Sequence, residues 1–127
     1  MAKKILIAED EADIRALIEF TLKFAGFDVV TAKNGLEALE AAQAELPDLI
    51  LLDVRMPQMT GYEACEAIKS DPDIRHIPVV FLSAKGQEKE ILAGLEAGAT
   101  EYLLKPFAPD ELARRITELL EQYSRLN

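Results

Sequence analysis

Acidic, hydroxyl and ammonium side chains stand at the ends of four short apolar runs of this sequence. These residues are Glu9, Asp10, Asp53, Ser83 and Lys105. Carboxylates bind hard divalent cations, and an ammonium and a hydroxyl beside them are groups that support phosphoryl transfer. Asp53 is the candidate nucleophile, because carboxylates can form acyl-phosphate intermediates. The residue types therefore predict phosphoryl-transfer chemistry, provided that the fold brings them together.

Repulsion between the acidic side chains is the reason to predict a metal ion at such a site. Two unit charges about 4 Å apart repel by roughly 4 kcal/mol at an effective dielectric constant of about 20. Three gathered carboxylates therefore either hold protons or share a cation. Mg²⁺ suits one or two carboxylates together with water and phosphate oxygens, so it is the predicted cofactor. Lys105 would add a fixed positive charge on the other side.

An alternation of strand-like and helix-like segments explains how these residues could meet. Residues 49–52 are apolar throughout, as in a strand buried on both faces of a parallel sheet. Pro57 marks where that strand can no longer continue. The whole pattern predicts an α/β fold with a doubly wound, five-stranded parallel sheet and five flanking helices. The carboxyl ends of such strands share one edge, where open α/β sheets bind ligands.

The predicted helices begin at recognisable signals. Asn34 with Glu37 and Thr60 with Glu63 have the spacing of a capping box. Pro109 is tolerated in a first helical turn, which places the start of the last helix. The fourth helix is predicted from three apolar residues, namely Ile91, Leu92 and Leu95.

The composition limits the classes of protein that fit the chain. It has 127 residues, half of them hydrophobic, which predicts one folded domain over residues 1–127. A net charge of −9 disfavours direct nucleic-acid binding, because phosphate contacts need a clustered basic surface. The first apolar run is too short for a signal peptide or a membrane span, so a cytoplasmic protein is expected. Cys65 is predicted to be a packed thiol and His76 to face solvent.

The ordered set of site residues resembles the receiver domain of bacterial response regulators. The set comprises Glu9-Asp10, Asp53 with Met56-Pro57 and Gly61, Ser83-Ala84 and Lys105-Pro106-Phe107. The resemblance runs from Lys4 to about Leu120, in the order and spacing of the family. It implies a flavodoxin-like fold with the strand order 2-1-3-4-5.

The resemblance also implies how the acidic residues act. Asp53 would accept a phosphoryl group from a phosphohistidine of a sensor histidine kinase or phosphotransfer protein. Asp10 and Asp53 would bind Mg²⁺ directly, together with the backbone carbonyl of Arg55. Glu9 would reach the metal through water, although many family members carry the shorter aspartate at this position.

Three further residues would bind the phosphoryl group or report its presence. Lys105 would pair with the phosphoryl oxygens, after a peptide bond to Pro106 that is implied to be cis. Ser83 would hydrogen-bond the phosphoryl group and move toward it, and Tyr102 would then turn inward as an aromatic switch. The output surface would be the fourth helix, the fifth strand and the fifth helix, and it would bind a downstream protein target. Five residues there mix both signs of charge, which allows at most a phosphorylation-dependent homodimer: Lys89, Glu96, Glu101, Arg114 and Arg115.

Arg55 and Lys85 are expected at the rim of the site, because each lies two residues after a site residue. Our hypothesis is that their long cationic side chains hinder the attacking water and prolong the phosphorylated state.

Other interpretations of the same residues stay open. Taken singly, Glu9 and Asp10 fit acids at a helix start, Ser83 fits a strand-end hydroxyl, and Tyr102 fits a half-exposed strand aromatic.

A magnesium-dependent phosphatase with an aspartyl nucleophile is the first rival function, but such enzymes usually carry a second aspartate where this chain has Arg55. An inactive receiver-like scaffold is disfavoured by the intact acidic set. The end of the sequence soon after the last predicted helix mildly favours a stand-alone receiver, although a receiver cut from a longer regulator would look the same.

Overall fold

The computed structural model describes residues 2–54, 56–84, 98, 101–105 and 108–126. Within these ranges, the side chains of residues 83, 84, 101, 102, 104, 105, 109 and 124–126 are not described. The elements in chain order are β1 (Lys4–Ala8), α1 (Ala12–Phe24), β2 (Asp28–Ala32), α2 (Gly35–Glu45), β3 (Leu49–Asp53), α3 (Gly61–Ser70), β4 (Val79–Ala84), β5 (Glu101–Lys105) and α4 (Pro109–Leu126).

The five strands form one parallel sheet in the order β2-β1-β3-β4-β5. This confirms the doubly wound, flavodoxin-like fold and its strand order. The predicted fourth helix, with Ile91, Leu92 and Leu95, lies outside the described residues, so the described part of the chain contains four helices.

The sheet is buried on both faces because successive strand residues point to opposite sides. In β3, Ile50 and Leu52 pack into one core, while Leu49 and Leu51 pack into the other. The first core lies under α2 and α3, and includes Ala38, Ala42, Ala64, Cys65 and Ile68. The second lies under α1 and α4, and includes Ile18, Leu22, Leu112, Ile116 and Leu119. β3 is thus held between two apolar layers, and this fixes the position of its last residue, Asp53.

The helix starts confirm the local signals in the sequence. The Asn34 side chain accepts a hydrogen bond from the Glu37 backbone N–H at 2.8 Å. At the start of α3 both halves of the capping box form, since Thr60 accepts from the Glu63 N–H at 3.2 Å and Glu63 accepts from the Thr60 N–H at 3.1 Å. α4 begins at Pro109 as predicted.

Two side chains outside the site also lie as predicted. Cys65 is fully buried, whereas His76 is exposed. Among the helices that the structure describes, none has both the length and the apolar character needed to cross a membrane.

Candidate functional site

The carboxyl ends of β1 and β3 bring three acidic side chains together. The two strands are neighbours, with Ala8 paired to Leu52. Glu9 and Asp10 follow β1, and Asp53 is the last residue of β3. One carboxylate oxygen from each of the three acids lies within 4.8 Å of the other two. The three acids among the predicted site residues are therefore grouped in space.

The burial of these acids differs, and the difference suits a hard cation. Glu9 is fully buried and Asp53 is 8% exposed, whereas Asp10 is exposed. Buried charge is costly unless it is compensated, and oxygen donors are what Mg²⁺ prefers. Oxygens that share an octahedral Mg²⁺ ion lie about 3–4 Å apart, and the three carboxylate oxygens are already within 4.8 Å of one another. The three residues therefore fit a magnesium ion, and the open side at Asp10 leaves room for water or phosphate oxygens.

The backbone that carries Glu9 is held on two sides. Its N–H donates a hydrogen bond to the Ala32 carbonyl at 3.1 Å. Its carbonyl accepts a hydrogen bond from Arg15 Nη1 at 2.8 Å, and the same nitrogen lies 3.5 Å from the Asp10 carbonyl. The sequence reasoning missed Arg15. The available signal was a cation in the first turns of α1, where the helix dipole disfavours positive charge.

The segment after Asp53 turns sharply before α3 begins. Gln58 has a φ of +67°, and the Met59 N–H donates to the Pro57 carbonyl at 2.7 Å, which closes a γ-turn. The Val54 N–H donates to Leu82 at 3.2 Å, so pairing with β4 continues one residue past Asp53.

Two glycines let the neighbouring helices approach this segment closely. The Gly61 N–H donates to the Val54 carbonyl at 3.0 Å, and a Cβ on Gly61 would overlap the carbonyl oxygen of Asp53. The Gly35 N–H donates to the Met59 carbonyl at 3.0 Å, and a Cβ there would overlap that carbonyl oxygen. The first residues of α2 and α3 thus contact the segment from two sides.

The other predicted site residues are placed only by their backbone or lie outside the described residues. Ser83 pairs with Leu104, and Lys105 pairs with Ala84, so both backbones lie at the carboxyl end of the sheet. The side chains of Ser83, Lys105 and Tyr102 are not among the described atoms. The following predicted residues lie outside the described residues: Arg55, Lys85, Lys89, Glu96 and Pro106. Of the expected output surface, Arg114 is exposed, and Arg115 forms an ion pair with Glu118 at 3.1 Å.

Comparison with known proteins agrees with this geometry. The family model described as "Response regulator receiver domain" matches residues 5–117. A probable transcriptional regulator ycf27 of Guillardia theta is 42% identical over 123 residues, covering 97% of this chain and 47% of that protein. The alkaline phosphatase synthesis transcriptional regulatory protein PhoP of Bacillus subtilis is 41% identical over 122 residues, covering 96% of this chain and 50% of that protein. The chain thus spans about half the length of these curated relatives.

A solved structure shows the same architecture. The crystal structure of a putative response regulator from Chloroflexus aurantiacus has a TM-score of 0.90 and 36% sequence identity to this chain, and the match covers 95% of this chain and 99% of that one.

Proposed function

Because the chain belongs to the response regulator receiver domain family, we propose that it is a phosphoacceptor that is phosphorylated on Asp53 with Mg²⁺ as cofactor. The observation that carries the proposal is the grouping of the Glu9, Asp10 and Asp53 carboxylate oxygens within 4.8 Å of one another. We propose further that residues 1–127 form a single receiver domain.

The phosphoryl donor would be a phosphohistidine of a sensor histidine kinase or phosphotransfer protein. A carboxylate oxygen of Asp53 forms a bond to phosphorus while the phosphorus–nitrogen bond of the donor breaks. The electron pair of that bond stays on the histidine nitrogen, and Asp53 becomes an aspartyl phosphate. Asp53 suits this role because it is fixed at the end of a strand buried on both faces, yet is 8% exposed.

Glu9, Asp10 and Asp53 would hold the Mg²⁺ ion, together with the backbone carbonyl of Arg55. When bound, the ion supplies neutralisation of the negative charge on the phosphoryl oxygens. The Glu9 carboxylate lies in the cluster and is fully buried, whereas the exposure of Asp10 keeps the approach open to a donor.

Phosphorylation would alter the partner-binding surface of the domain through three residues, Lys105, Ser83 and Tyr102. Phosphorylation adds about −1.5 to −2 units of charge and new acceptor oxygens, to which Lys105 and Ser83 would respond. Shifting a two-state domain from mostly inactive to mostly active takes roughly 5.5 kcal/mol. A few charge-assisted hydrogen bonds of about 1.5–3 kcal/mol each supply that amount. Tyr102 would carry the change to a downstream protein target, or to a second copy in a phosphorylation-dependent homodimer.

Arg55 and Lys85 would set how long the phosphoryl group remains on Asp53. On this proposal the protein catalyses its own phosphorylation and dephosphorylation and does not turn over phosphate esters. The phosphatase alternative is disfavoured because such enzymes usually carry a second aspartate at the position where this chain has Arg55.

Mass spectrometry after incubation with acetyl phosphate and Mg²⁺ tests the proposal. The wild-type chain is expected to gain one phosphoryl group, and Asp53→Asn none. Asp48→Asn is a matched control, since Asp48 is an exposed aspartate just before β3, at the opposite end of that strand, and it is expected to gain the phosphoryl group as the wild type does. Equal gain by Asp53→Asn would refute the assignment, and repeated turnover of a phosphate ester would support the phosphatase.

A further inference from the structure

Arg15 contacts the segment that presents two of the three acidic side chains. It lies on α1 and is half-buried. Its Nη1 reaches back to the Glu9 carbonyl at 2.8 Å and lies 3.5 Å from the Asp10 carbonyl. We propose that Arg15 is a positioning residue for the metal site: it fixes the Glu9 and Asp10 peptide units so that both carboxylates face Asp53 before a cation binds. This inference rests on the proposed function of the acidic cluster.

The contact completes the fixation of the two peptide units that flank Glu9, beyond the end of β1. Glu9 follows the last residue of that strand, and its N–H is held by the Ala32 carbonyl of β2 at 3.1 Å. The hydrogen bond from Arg15 restrains the carbonyl side of the same residue. A residue restrained at both its N–H and its carbonyl has little freedom to rotate, so the Glu9 side chain leaves the backbone in a fixed direction.

The chemistry of the guanidinium group suits this task better than that of an ammonium group. A guanidinium presents several N–H donors in a rigid planar fork, whereas an ammonium is a compact point charge on a flexible stem. One nitrogen of Arg15 lies within reach of two successive carbonyls. Arg15→Lys therefore keeps the charge but replaces this planar, rigidly held nitrogen with a flexible ammonium group, and it is expected to fix the segment only in part.

Helix stability does not account for a cation at this position. α1 begins at Ala12, so Arg15 is its fourth residue, close to the end of the helix dipole that favours negative charge. Asp13 in the same turn has the sign that the dipole prefers. The contacts to the Glu9 and Asp10 carbonyls give Arg15 a role that the helix itself does not require.

The proposal makes a prediction opposite in sign to that of simple electrostatics. Arg15 places a positive charge against the backbone of two of the three acids, and this charge repels a divalent cation. If charge alone mattered, removing it would tighten Mg²⁺ binding. If Arg15 positions the acids, removing it weakens Mg²⁺ binding although a repelling charge has gone.

Magnesium titrations followed by amide NMR distinguish the electrostatic effect of Arg15 from its positioning role. Arg15→Met removes the charge and the donors while keeping an unbranched side chain, and it is expected to weaken Mg²⁺ binding about tenfold, as loss of an outer-shell partner commonly does. Arg15→Lys is expected to fall between Arg15→Met and the wild type. Lys23→Met is the matched control, because it removes one positive charge from the same helix, where Lys23 pairs with Glu19 at 2.9 Å. Its affinity is expected to stay within about twofold of the wild type, since distant charges are screened.

Hydrogen exchange in the metal-free protein provides a readout that does not depend on the metal. Arg15→Met is expected to speed exchange at the Glu9 amide, while amides in the middle of β3 keep their protection. If Arg15→Met loses protection throughout the chain, its exchange no longer reports on Glu9 alone. Exchange at the Glu9 amide of Arg15→Lys, which retains the charge, is then the measurement that decides.

Two results would overturn the positioning role. The first is Mg²⁺ binding by the Arg15 variants that is at least as tight as in the wild type. The second is unchanged hydrogen exchange at the Glu9 amide. Either result alone is sufficient. A wild-type chain that shows no Mg²⁺-dependent shifts would instead refute the proposed metal site, and the exchange result would still decide whether Arg15 fixes the segment.

Discussion

Replacing Gly61 with alanine tests whether the close approach of α3 to Asp53 matters for both stability and phosphorylation. An added Cβ would overlap the Asp53 carbonyl oxygen and lie 3.1 Å from its carbonyl carbon and 3.1 Å from Phe81 Cε1. Two of these three atoms belong to the backbone of a central strand, so they cannot move aside as the end of a flexible side chain can. The start of α3 must therefore shift away from Asp53.

The magnitude follows from two opposing effects. Alanine is favoured over glycine within a helix by about 0.5–1 kcal/mol, whereas overpacking a well-packed site costs about 1–3 kcal/mol. Because the overlap is with backbone, the cost belongs in the upper part of that range. Urea denaturation of Gly61→Ala is expected to show a net loss of about 1–2 kcal/mol in the free energy of unfolding. A small displacement of reacting groups can cost up to about 100-fold in rate, so phosphorylation by acetyl phosphate is expected to slow by about 10- to 100-fold.

Gly26→Ala is the control for Gly61→Ala, because it should lower the free energy of unfolding without a change near Asp53. Gly26 has a φ of +99° and no neighbour within 4 Å of an added Cβ, so alanine there is strained by the backbone alone, at a cost of about 1–2 kcal/mol. Its phosphorylation rate is expected to match the wild type. Wild-type stability of Gly61→Ala would refute the steric reasoning, and a Gly61→Ala rate equal to that of Gly26→Ala would refute the link to the site.

Three further predictions concern charge, capping and pH. Without Mg²⁺, Asp53→Asn relieves repulsion within the cluster and should raise the free energy of unfolding by roughly 1–4 kcal/mol, the range between bulk water and an effective dielectric constant of about 20. A gain no larger than that of Glu40→Gln, on the exposed side of α2, would contradict this. Thr60→Ala removes the capping box and should cost about 1 kcal/mol in urea denaturation, whereas Thr117→Ala, exposed within α4, should stay within about 0.5 kcal/mol of the wild type. Burial raises the pKa of the Cys65 thiol from 9.0 to about 11, so the unfolded chain loses this proton first and stability should fall as pH rises between these two values. Cys65→Ala should lack that part of the slope, and an unchanged slope in denaturation at successive pH values would argue against it.

The convergence of Glu9, Asp10 and Asp53 could be predicted from the sequence because it depends on strand ends. Apolar runs followed by acids place those acids at the carboxyl ends of strands, and a parallel sheet places those ends at one edge. The adjacency of β1 and β3 came from the family resemblance, since the alternation of strands and helices alone does not give the order of strands.

The contacts around the cluster could not be predicted, because they join segments distant in the sequence. Nothing local to Arg15 shows that it reaches back to the Glu9 carbonyl. The contact of Gly35 with the Met59 carbonyl depends on how α2 and the segment after β3 lie together, which periodicity does not describe. The roles of Arg55 and Lys85 stay predictions.

The two glycines that contact the segment after Asp53 have a consequence for domain engineering. Gly35 and Gly61 sit in different helices. A Cβ on Gly35 would overlap the Met59 carbonyl oxygen, and a Cβ on Gly61 would overlap the carbonyl oxygen of Asp53. A chimeric receiver that exchanges α2 alone, with any larger residue at position 35, would push on Met59 and through it on the proposed phosphorylation site. Exchange of α2 together with the turn that carries Met59 and the first turn of α3 should preserve both contacts, so these segments should be exchanged together.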